Sequence, residues 1–138
     1  SNVVRAQTEV HGQLGGVFPE LACRKHIDAL IPVIRAALNE ASIGFQQIGL
    51  IAAARGPGLI GALLIGLNAA KTLSYAWNVP FVGVNHVEAH LYAAMMPLDS
   101  FVLPALGVVI SGGHTFLVKI ESLGRYTFLG GAQDDAVG

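Results

Sequence analysis

Residues 48–84 read IGLIAAARGPGLIGALLIGLNAAKTLSYAWNVPFVGV and decide the expected fold. The apolar run at 48–54 is typical of a short buried strand, and the glycines on both sides of Pro57 predict a turn after it. A second apolar run at 81–84 predicts another strand. Between the two runs, apolar residues recur every three or four positions over 59–75 and predict a helix; they are Leu59, Leu63, Leu67, Ala70 and Leu73. Strands that alternate with helices predict an α/β fold with a partly parallel sheet.

The segments on either side extend this alternation. At 3–10 the residues alternate loosely and predict an exposed strand. Residues 86–96 predict about three helical turns that end at Pro97. Over 20–41 the apolar residues form one helical stripe, which Pro32 is expected to kink or divide; they are Ile27, Leu30, Ile31, Ile34, Leu38 and Ala41.

After residue 98 the pattern changes from alternating elements to consecutive strands. Three strands are predicted, at 105–110, 115–121 and 126–129. The paired aspartates Asp134 and Asp135 then suit the first turn of a further helix, and a general acid or metal-ligand role explains them equally well. We therefore expect residues 1–98 to form most of a first lobe and residues 99–138 to form the opening strand meander of a second lobe.

Composition excludes several classes of protein. Of the 138 residues, 53% are hydrophobic and 12% are charged, which excludes an intrinsically disordered chain. The formal net charge is −1, so binding of nucleic acid through a general basic field is excluded, and any RNA role needs a local patch or a partner. The apolar stretch at 59–70 is interrupted by glycines and ends at Lys71, well short of a membrane span. The single cysteine, Cys23, allows no internal disulfide and predicts a reducing, cytoplasmic location.

The segment Asn85-His86-Val87-Glu88-Ala89-His90 places two histidines four positions apart. On a helix, His86 and His90 would share one face, and both imidazoles could ligate one metal ion. Two imidazoles alone are too few for a zinc or iron site, and one core histidine with one surface histidine explains the same spacing. Glu88 is two residues from each histidine and points away from their face, so the general base of an H-E-x-x-H metalloprotease is missing.

The segment 109–115 reads VISGGHT, an apolar strand that ends in a Ser-Gly-Gly turn. Adjacent glycines let backbone N–H groups converge on an anion, and Ser111 adds a hydroxyl, so the turn could cradle a phosphate. A plain hairpin turn explains the same residues. The turn at 55–58, RGPG, leaves two similar interpretations: an anion site before a helix, or a bend that lets the helix pack closely through small residues.

Four segments in this order resemble the bacterial tRNA adenosine threonylcarbamoyltransferase family, formerly called glycoproteases or O-sialoglycoprotein endopeptidases. The resemblance covers nearly all of residues 3–138, and four motifs in one order are far more specific than any one of them. The segments are GGVFPELACRKH at 15–26, RGPGLIG at 55–61, GVNHVEAH at 83–90 and SGGHT at 111–115.

The resemblance implies an actin- and sugar-kinase-like (ASKHA, RNase H-like) α/β fold, a mixed sheet with flanking helices. This chain would hold an incomplete part of it, truncated at both ends. The implied reaction transfers a threonylcarbamoyl group from threonylcarbamoyl-adenylate to N6 of the adenosine beside the anticodon. The implied substrate-binding residues are Val109, Ile110, Ser111, Gly112 and Gly113.

The resemblance also implies a cofactor and partners. His86 and His90 would be two ligands of one divalent ion, iron or zinc, whose third protein ligand lies outside this chain. The implied partners are tRNA, threonylcarbamoyl-adenylate, the homologous non-catalytic protein TsaB and the ATPase TsaE. Two helices, at 26–41 and 59–75, resemble those that pair with TsaB, so a dimer formed through helices and no membrane association are expected.

Three hypotheses about activity follow. The first is a fragment of a metal-dependent transferase that is inactive without the rest of the enzyme. The second is a non-catalytic module of the same fold that dimerises through its apolar helices, since high hydrophobicity with few charges predicts exposed apolar surface. The third, a metalloprotease, is disfavoured because the H-E-x-x-H order is absent.

Overall fold

The computed structural model describes residues 1–6 and 19–136 and divides into two compact units, Ser1–His86 and Val87–Gly138. The first unit contains α1 (Pro19–Glu40), a short 3-10 helix (Phe45–Gln47), β1 (Ile51–Gly56), α2 (Ile60–Trp77) and β2 (Phe81–Asn85). Next come α3 (His86–Met95), which begins at the last residue of the first unit, and the strands β3 (Ala105–Ile110), β4 (Thr115–Ser122) and β5 (Arg125–Gly131).

In the first unit, β1 and β2 pair in parallel, with Ile51 opposite Phe81 and Ala54 opposite Val84. The helix α2 connects these two strands and packs on both of them, as expected for a crossover between parallel strands. It ends at Asn78, whose left-handed backbone (φ 53°) lets its N–H donate to the Tyr75 carbonyl at 3.3 Å. The predicted strand–helix–strand order is therefore confirmed.

The helices α1 and α2 pack closely where small residues face each other. Ala22 of α1 and Ala70 of α2 are buried. A Cβ atom added to Gly61 would lie 2.5 Å from the Cys23 Sγ, so only glycine lets the two helices approach at this point. This contact agrees with the interpretation that the helix after the RGPG turn packs closely through small residues.

Gly61→Ala is expected to destabilise the first unit by about 1–3 kcal/mol, because its methyl group would overlap the Cys23 Sγ. Gly66→Ala is the matched control, since Gly66 lies in the same helix and an added Cβ there would meet nothing within 4 Å. The free energy of unfolding of this control should rise by about 0.5–1 kcal/mol, because alanine has a higher helix propensity than glycine. Thermal unfolding followed by circular dichroism measures both changes. A Gly61→Ala chain that melts at or above the wild-type temperature would contradict the overlap.

In the second unit, three antiparallel strands form a meander in the order β3-β4-β5. Ala105 lies opposite Ile120 and Ile110 lies opposite Thr115, so β3 and β4 pair along their whole length. On one face of β3 the residues at 107 and 109 are buried, and on the other face Leu106, Val108 and Ile110 are exposed. Strand alternation therefore places one face of the sheet in a core.

The helix α3 packs on that face. Its Leu91 is buried with Val109, Val118 and Ile120. An added Cβ at Gly107 would lie 2.9 Å from the Leu91 Cδ2, so glycine at this position lets the helix lie close to the strand. Partly buried apolar residues surround the cluster; they are Val87, Met95, Leu103, Ala105, Phe116 and Tyr126.

Most predicted elements are confirmed within a few residues of their ends. The helix α1 continues through Pro32 without being divided, and the alternative that Pro32 kinks it stays a prediction. Residues 3–6 form no strand, and residues 7–10 of the predicted strand lie outside the described residues. The helix start predicted at Asp134 and Asp135 stays a prediction, because positions 137 and 138 lie outside the described residues. The compact units divide after His86, since Leu91 of α3 is buried against the strands that follow it, and the predicted lobe boundary after residue 98 stays a prediction.

No helix in the described ranges is long and apolar enough to cross a membrane.

Candidate functional site

The turn between β3 and β4 is the first candidate site. The Ser111 N–H donates to the His114 carbonyl at 2.8 Å, and the His114 N–H donates to the Ser111 Oγ at 3.0 Å. The Ser111 hydroxyl in turn donates to the His114 carbonyl at 3.1 Å. These three bonds close a hairpin with Gly112 and Gly113 at its tip. The Ser111 hydroxyl therefore holds the turn, and the plain hairpin interpretation describes its backbone correctly.

The two glycines of this turn are exposed and have room around them. An added Cβ at Gly112 or Gly113 would meet nothing within 4 Å among the described residues, and neither glycine has a left-handed φ. Within residues 1–6 and 19–136, no backbone carbonyl accepts a hydrogen bond from either N–H group. Packing within the described residues and backbone conformation would both allow a larger residue at positions 112 and 113, so neither explains why glycine is found there. An anion that approaches the backbone closely would explain them.

A cleft of about 320 Å³ in the second unit brings several predicted residues together. His90 of α3 lines it together with Val109, Ile110 and Ser111 of the β3 end. Val109 is only 5% exposed and also belongs to the core of this unit. Gly112 and Gly113 follow directly in the chain but do not line this cleft.

His86 lines a different cleft, of about 370 Å³, within the first unit. The wall of that cleft also contains Pro57 and Gly58 of the RGPG turn and His26 of α1. The His26 Nδ1 lies 2.9 Å from the Ala22 carbonyl, which can only accept, so Nδ1 carries the proton. The sequence alone assigned no role to His26; its place in the GGVFPELACRKH segment was the available signal.

A further cleft, with a volume of about 470 Å³, lies in the first unit between α1, α2 and β1. Its lining is almost entirely apolar and includes Leu30, Leu73 and Trp77, with no histidine, lysine, arginine or carboxylate side chain among the described residues that line it. Such a surface offers no group for proton transfer or metal binding. We therefore do not place the chemistry there.

Tyr126 and Glu88 form a contact that the sequence did not reveal. The Tyr126 hydroxyl donates to the Glu88 Oε1 at 2.9 Å, although the two residues are 38 positions apart. The pKa of Tyr126 lies above its usual value because burial disfavours the phenolate and because Tyr92 and Glu88 favour the protonated hydroxyl. Glu88 is thus a hydrogen-bond acceptor toward the sheet.

The two histidines predicted as metal ligands lie on one helix. His86 and His90 lie one turn apart on α3, at its first and fifth positions, and both are exposed. Imidazole nitrogens are donors that zinc and iron(II) accept. Within the described residues, no group of three or more His, Cys, Asp or Glu side chains is placed to hold a metal ion.

Comparison with known proteins matches the whole chain to one family. A family model described as TsaD, tRNA N6-adenosine threonylcarbamoyltransferase, matches residues 1–138. The chain is 61% identical over 140 residues to the protein of that name from Protochlamydia amoebophila, covering 100% of this chain and 40% of that protein. It is 49% identical over 138 residues to the protein of the same name from Syntrophobacter fumaroxidans, covering 100% and 41%. The chain thus spans about two fifths of the length of the curated relatives it matches.

Solved structures show the same fold at much lower identity. The chain matches YeaZ from Pseudomonas aeruginosa with a TM-score of 0.54 and 19% identity, covering 76% of this chain and 51% of that one. A second structure, described as similar to peptidase YEAZ from the same organism, matches with a TM-score of 0.53 and 21% identity, covering 76% and 49%. The likeness confirms the predicted actin- and sugar-kinase-like α/β fold class.

Proposed function

Because the chain belongs to the TsaD family of tRNA N6-adenosine threonylcarbamoyltransferases, we propose that it forms part of an enzyme that threonylcarbamoylates tRNA. The donor is threonylcarbamoyl-adenylate, and the acceptor is N6 of the adenosine beside the anticodon. A cytoplasmic location follows from this proposal, because it is where tRNA and a reduced Cys23 would both be found.

The Ser111-Gly112-Gly113 turn is the observation that carries this proposal. Two backbone N–H groups without a protein acceptor among the described residues stand next to the cleft that His90, Ile110 and Ser111 line. Backbone donors of this kind bind phosphate oxygens without needing a charged side chain. The turn would hold the phosphate of the adenylate, and the cleft would receive the attached threonylcarbamoyl group.

The transfer itself requires one bond to form and one to break. The adenosine N6 attacks the carbamoyl carbon, and a new N–C bond forms. The C–O bond to the phosphate breaks, AMP leaves with the electron pair, and one N6 proton passes to solvent. Donors aimed at the departing phosphate stabilise the negative charge that grows on it, so the Gly112 and Gly113 N–H groups would assist this departure.

We propose His86 and His90 as two ligands of one divalent ion, iron or zinc. Their one-turn spacing on α3 and their exposure support this role. When bound, such an ion supplies Lewis acidity that polarises a carbonyl or phosphoryl oxygen. The two imidazoles hold and orient it, and the remaining ligands come from outside the described residues.

We propose that partner proteins support tRNA binding and assembly. The formal net charge of −1 gives the chain little attraction for a polyanion, so RNA contact would depend on partners or on further segments of the enzyme. Apolar residues are exposed on α1 and α2 and supply a surface for a homologous chain such as TsaB; they are Ile27, Ile31, Ile60 and Leu64. The ATPase TsaE would be a further partner protein.

A chimera tests the proposed function directly. The 138 residues replace the matching segment of the Protochlamydia amoebophila relative, and nucleoside mass spectrometry follows the modification of tRNA in the presence of threonylcarbamoyl-adenylate and the partner proteins. We expect the chimera to form threonylcarbamoyladenosine. A folded chimera that leaves tRNA unmodified while the parent relative modifies it would refute the proposal.

Within the chimera, Gly112→Ala is expected to lower kcat/KM by about tenfold or more, because the methyl group shields backbone donors that typically contribute about 10²-fold each. Gly130→Ala in β5 is the matched control, since an added Cβ also meets nothing within 4 Å there. Both variants should melt like the unmodified chimera. Equal activities of the two variants would rule out the turn as the phosphate site.

A further inference from the structure

The helix α3 lies on the sheet of the second unit with one face toward the core. Val87, Leu91 and Met95 are spaced four residues apart and all pack on that core. Because successive residues of an α-helix turn by about 100°, Glu88 and Tyr92 lie on one flank of this face. His90 and Ala94 lie on the opposite flank.

Different strands contact the two flanks. On the first flank, the Glu88 carboxylate accepts a hydrogen bond of 2.9 Å from Tyr126 of β5, and the Gly124 N–H donates to the Tyr126 hydroxyl oxygen at 3.3 Å. On the second flank, His90 and Ala94 line the cleft that β3 completes with Ile110. Since β3 and β5 are the two edge strands of the sheet, the flanks of α3 are oriented toward opposite edges.

From this arrangement we infer that Tyr126 is a positioning residue: its hydrogen bond to Glu88 sets the rotation of α3 on the sheet and thereby holds the His90 ring at the cleft beside Ser111. A rotation of α3 on the sheet therefore moves both of its flanks together. A rotation that moves Glu88 away from β5 must move His90 relative to β3, because both side chains are fixed to one helix.

The Glu88–Tyr126 hydrogen bond adds a directional contact to the apolar packing of α3. Burial of Val87, Leu91 and Met95 is favourable but has no directional preference, so small rotations keep most of the buried area. A hydrogen bond weakens steeply as its angle departs from linear. The Tyr126 side chain is itself partly buried and packs on the core cluster, so its hydroxyl has a defined place from which to hold Glu88.

The test follows the ring signals of His90 in ¹H–¹³C spectra of the 138-residue chain at one pH. Tyr126→Phe removes the donor and Glu88→Ala removes the acceptor, whereas Glu88→Gln keeps an oxygen acceptor. Val118→Ala is the control for stability, because it removes buried methyl groups from the same core without touching the hydrogen bond. We expect Glu88→Ala to shift the His90 signals and Tyr126→Phe to shift them at least as far, because Tyr126→Phe also removes the contact with Tyr92; the double variant should shift them no further than Tyr126→Phe.

Glu88→Gln and Val118→Ala should leave the His90 signals near their wild-type positions. An unshifted His90 in folded Tyr126→Phe would overturn the inference, and so would an equal shift in Val118→Ala. If Tyr126→Phe does not fold, identical His90 signals in Glu88→Ala and Glu88→Gln would overturn it. Any effect of this positioning on the transfer reaction rests on the proposed function. The spectra do not depend on activity, so the positioning inference and the proposed function can be refuted separately.

Discussion

Leu91→Ala is expected to destabilise the second unit by about 2–5 kcal/mol, which is the usual cost of deleting a buried leucine side chain. Leu91 is the buried residue of α3 and is 7% exposed among Val109, Val118 and Ile120. The substitution would leave a cavity between the helix and the sheet. Because small domains have little stability to lose, we expect loss of the dispersed methyl signals of Val109, Val118 and Ile120.

Leu106→Ala is the matched control, since the same atoms are removed from a side chain that is 62% exposed in β3. Urea unfolding followed by methyl NMR gives the free energy of unfolding of both variants. Leu106→Ala should change the free energy of unfolding by less than about 1 kcal/mol. Equal losses in the two variants would mean that the cluster around Leu91 is not the core of this unit.

His86→Ala and His90→Ala are each expected to reduce tRNA modification by the chimera by about 10²-fold or more. Even loss of a residue that only orients a metal ligand typically costs about 10–100-fold, and these two are proposed as ligands themselves. Quantitative nucleoside mass spectrometry measures the rate, and elemental analysis of the purified proteins measures bound metal. Both quantities should fall together.

The double variant supplies the control for this experiment. If His86 and His90 hold one ion, the variant that lacks both imidazoles should modify tRNA only slightly more slowly than either single variant, because the effects of residues that act as a unit are not additive. Losses that multiply would point to two independent roles. Wild-type rates in both single variants, with melting temperatures unchanged, would refute the metal-ligand role.

The order of the elements could be predicted from sequence because its signals are local. The helical spacing of Leu59 to Leu73 and the alternation in β3 need only neighbouring residues to be recognised. The expectations that differed depend on less local causes. Pro32 lies within α1 without dividing it, and residues 3–6 form no strand, so local propensity was outweighed in both places.

The candidate site was predicted in part. The motif order identified the Ser-Gly-Gly turn and the histidine pair, and the structure places His90 and Ser111 at one cleft. It also places Val109 in the core of the second unit, and its role as a substrate contact stays a prediction. The sequence did not predict that His26 lines a cleft with His86, because a single histidine in a helical pattern does not indicate which residues pack opposite the helix.

The sequence by itself determined the family, the alternation of strands and helices, and the glycines that a close backbone approach requires, because each of these is recorded in residues near one another in the chain. Only the tertiary structure decided that Tyr126 meets Glu88 across 38 positions, that Gly107 admits Leu91, and that His26 and His86 line one cleft. Those contacts depend on how elements pack, and packing is set by the shapes of side chains that are distant in the chain.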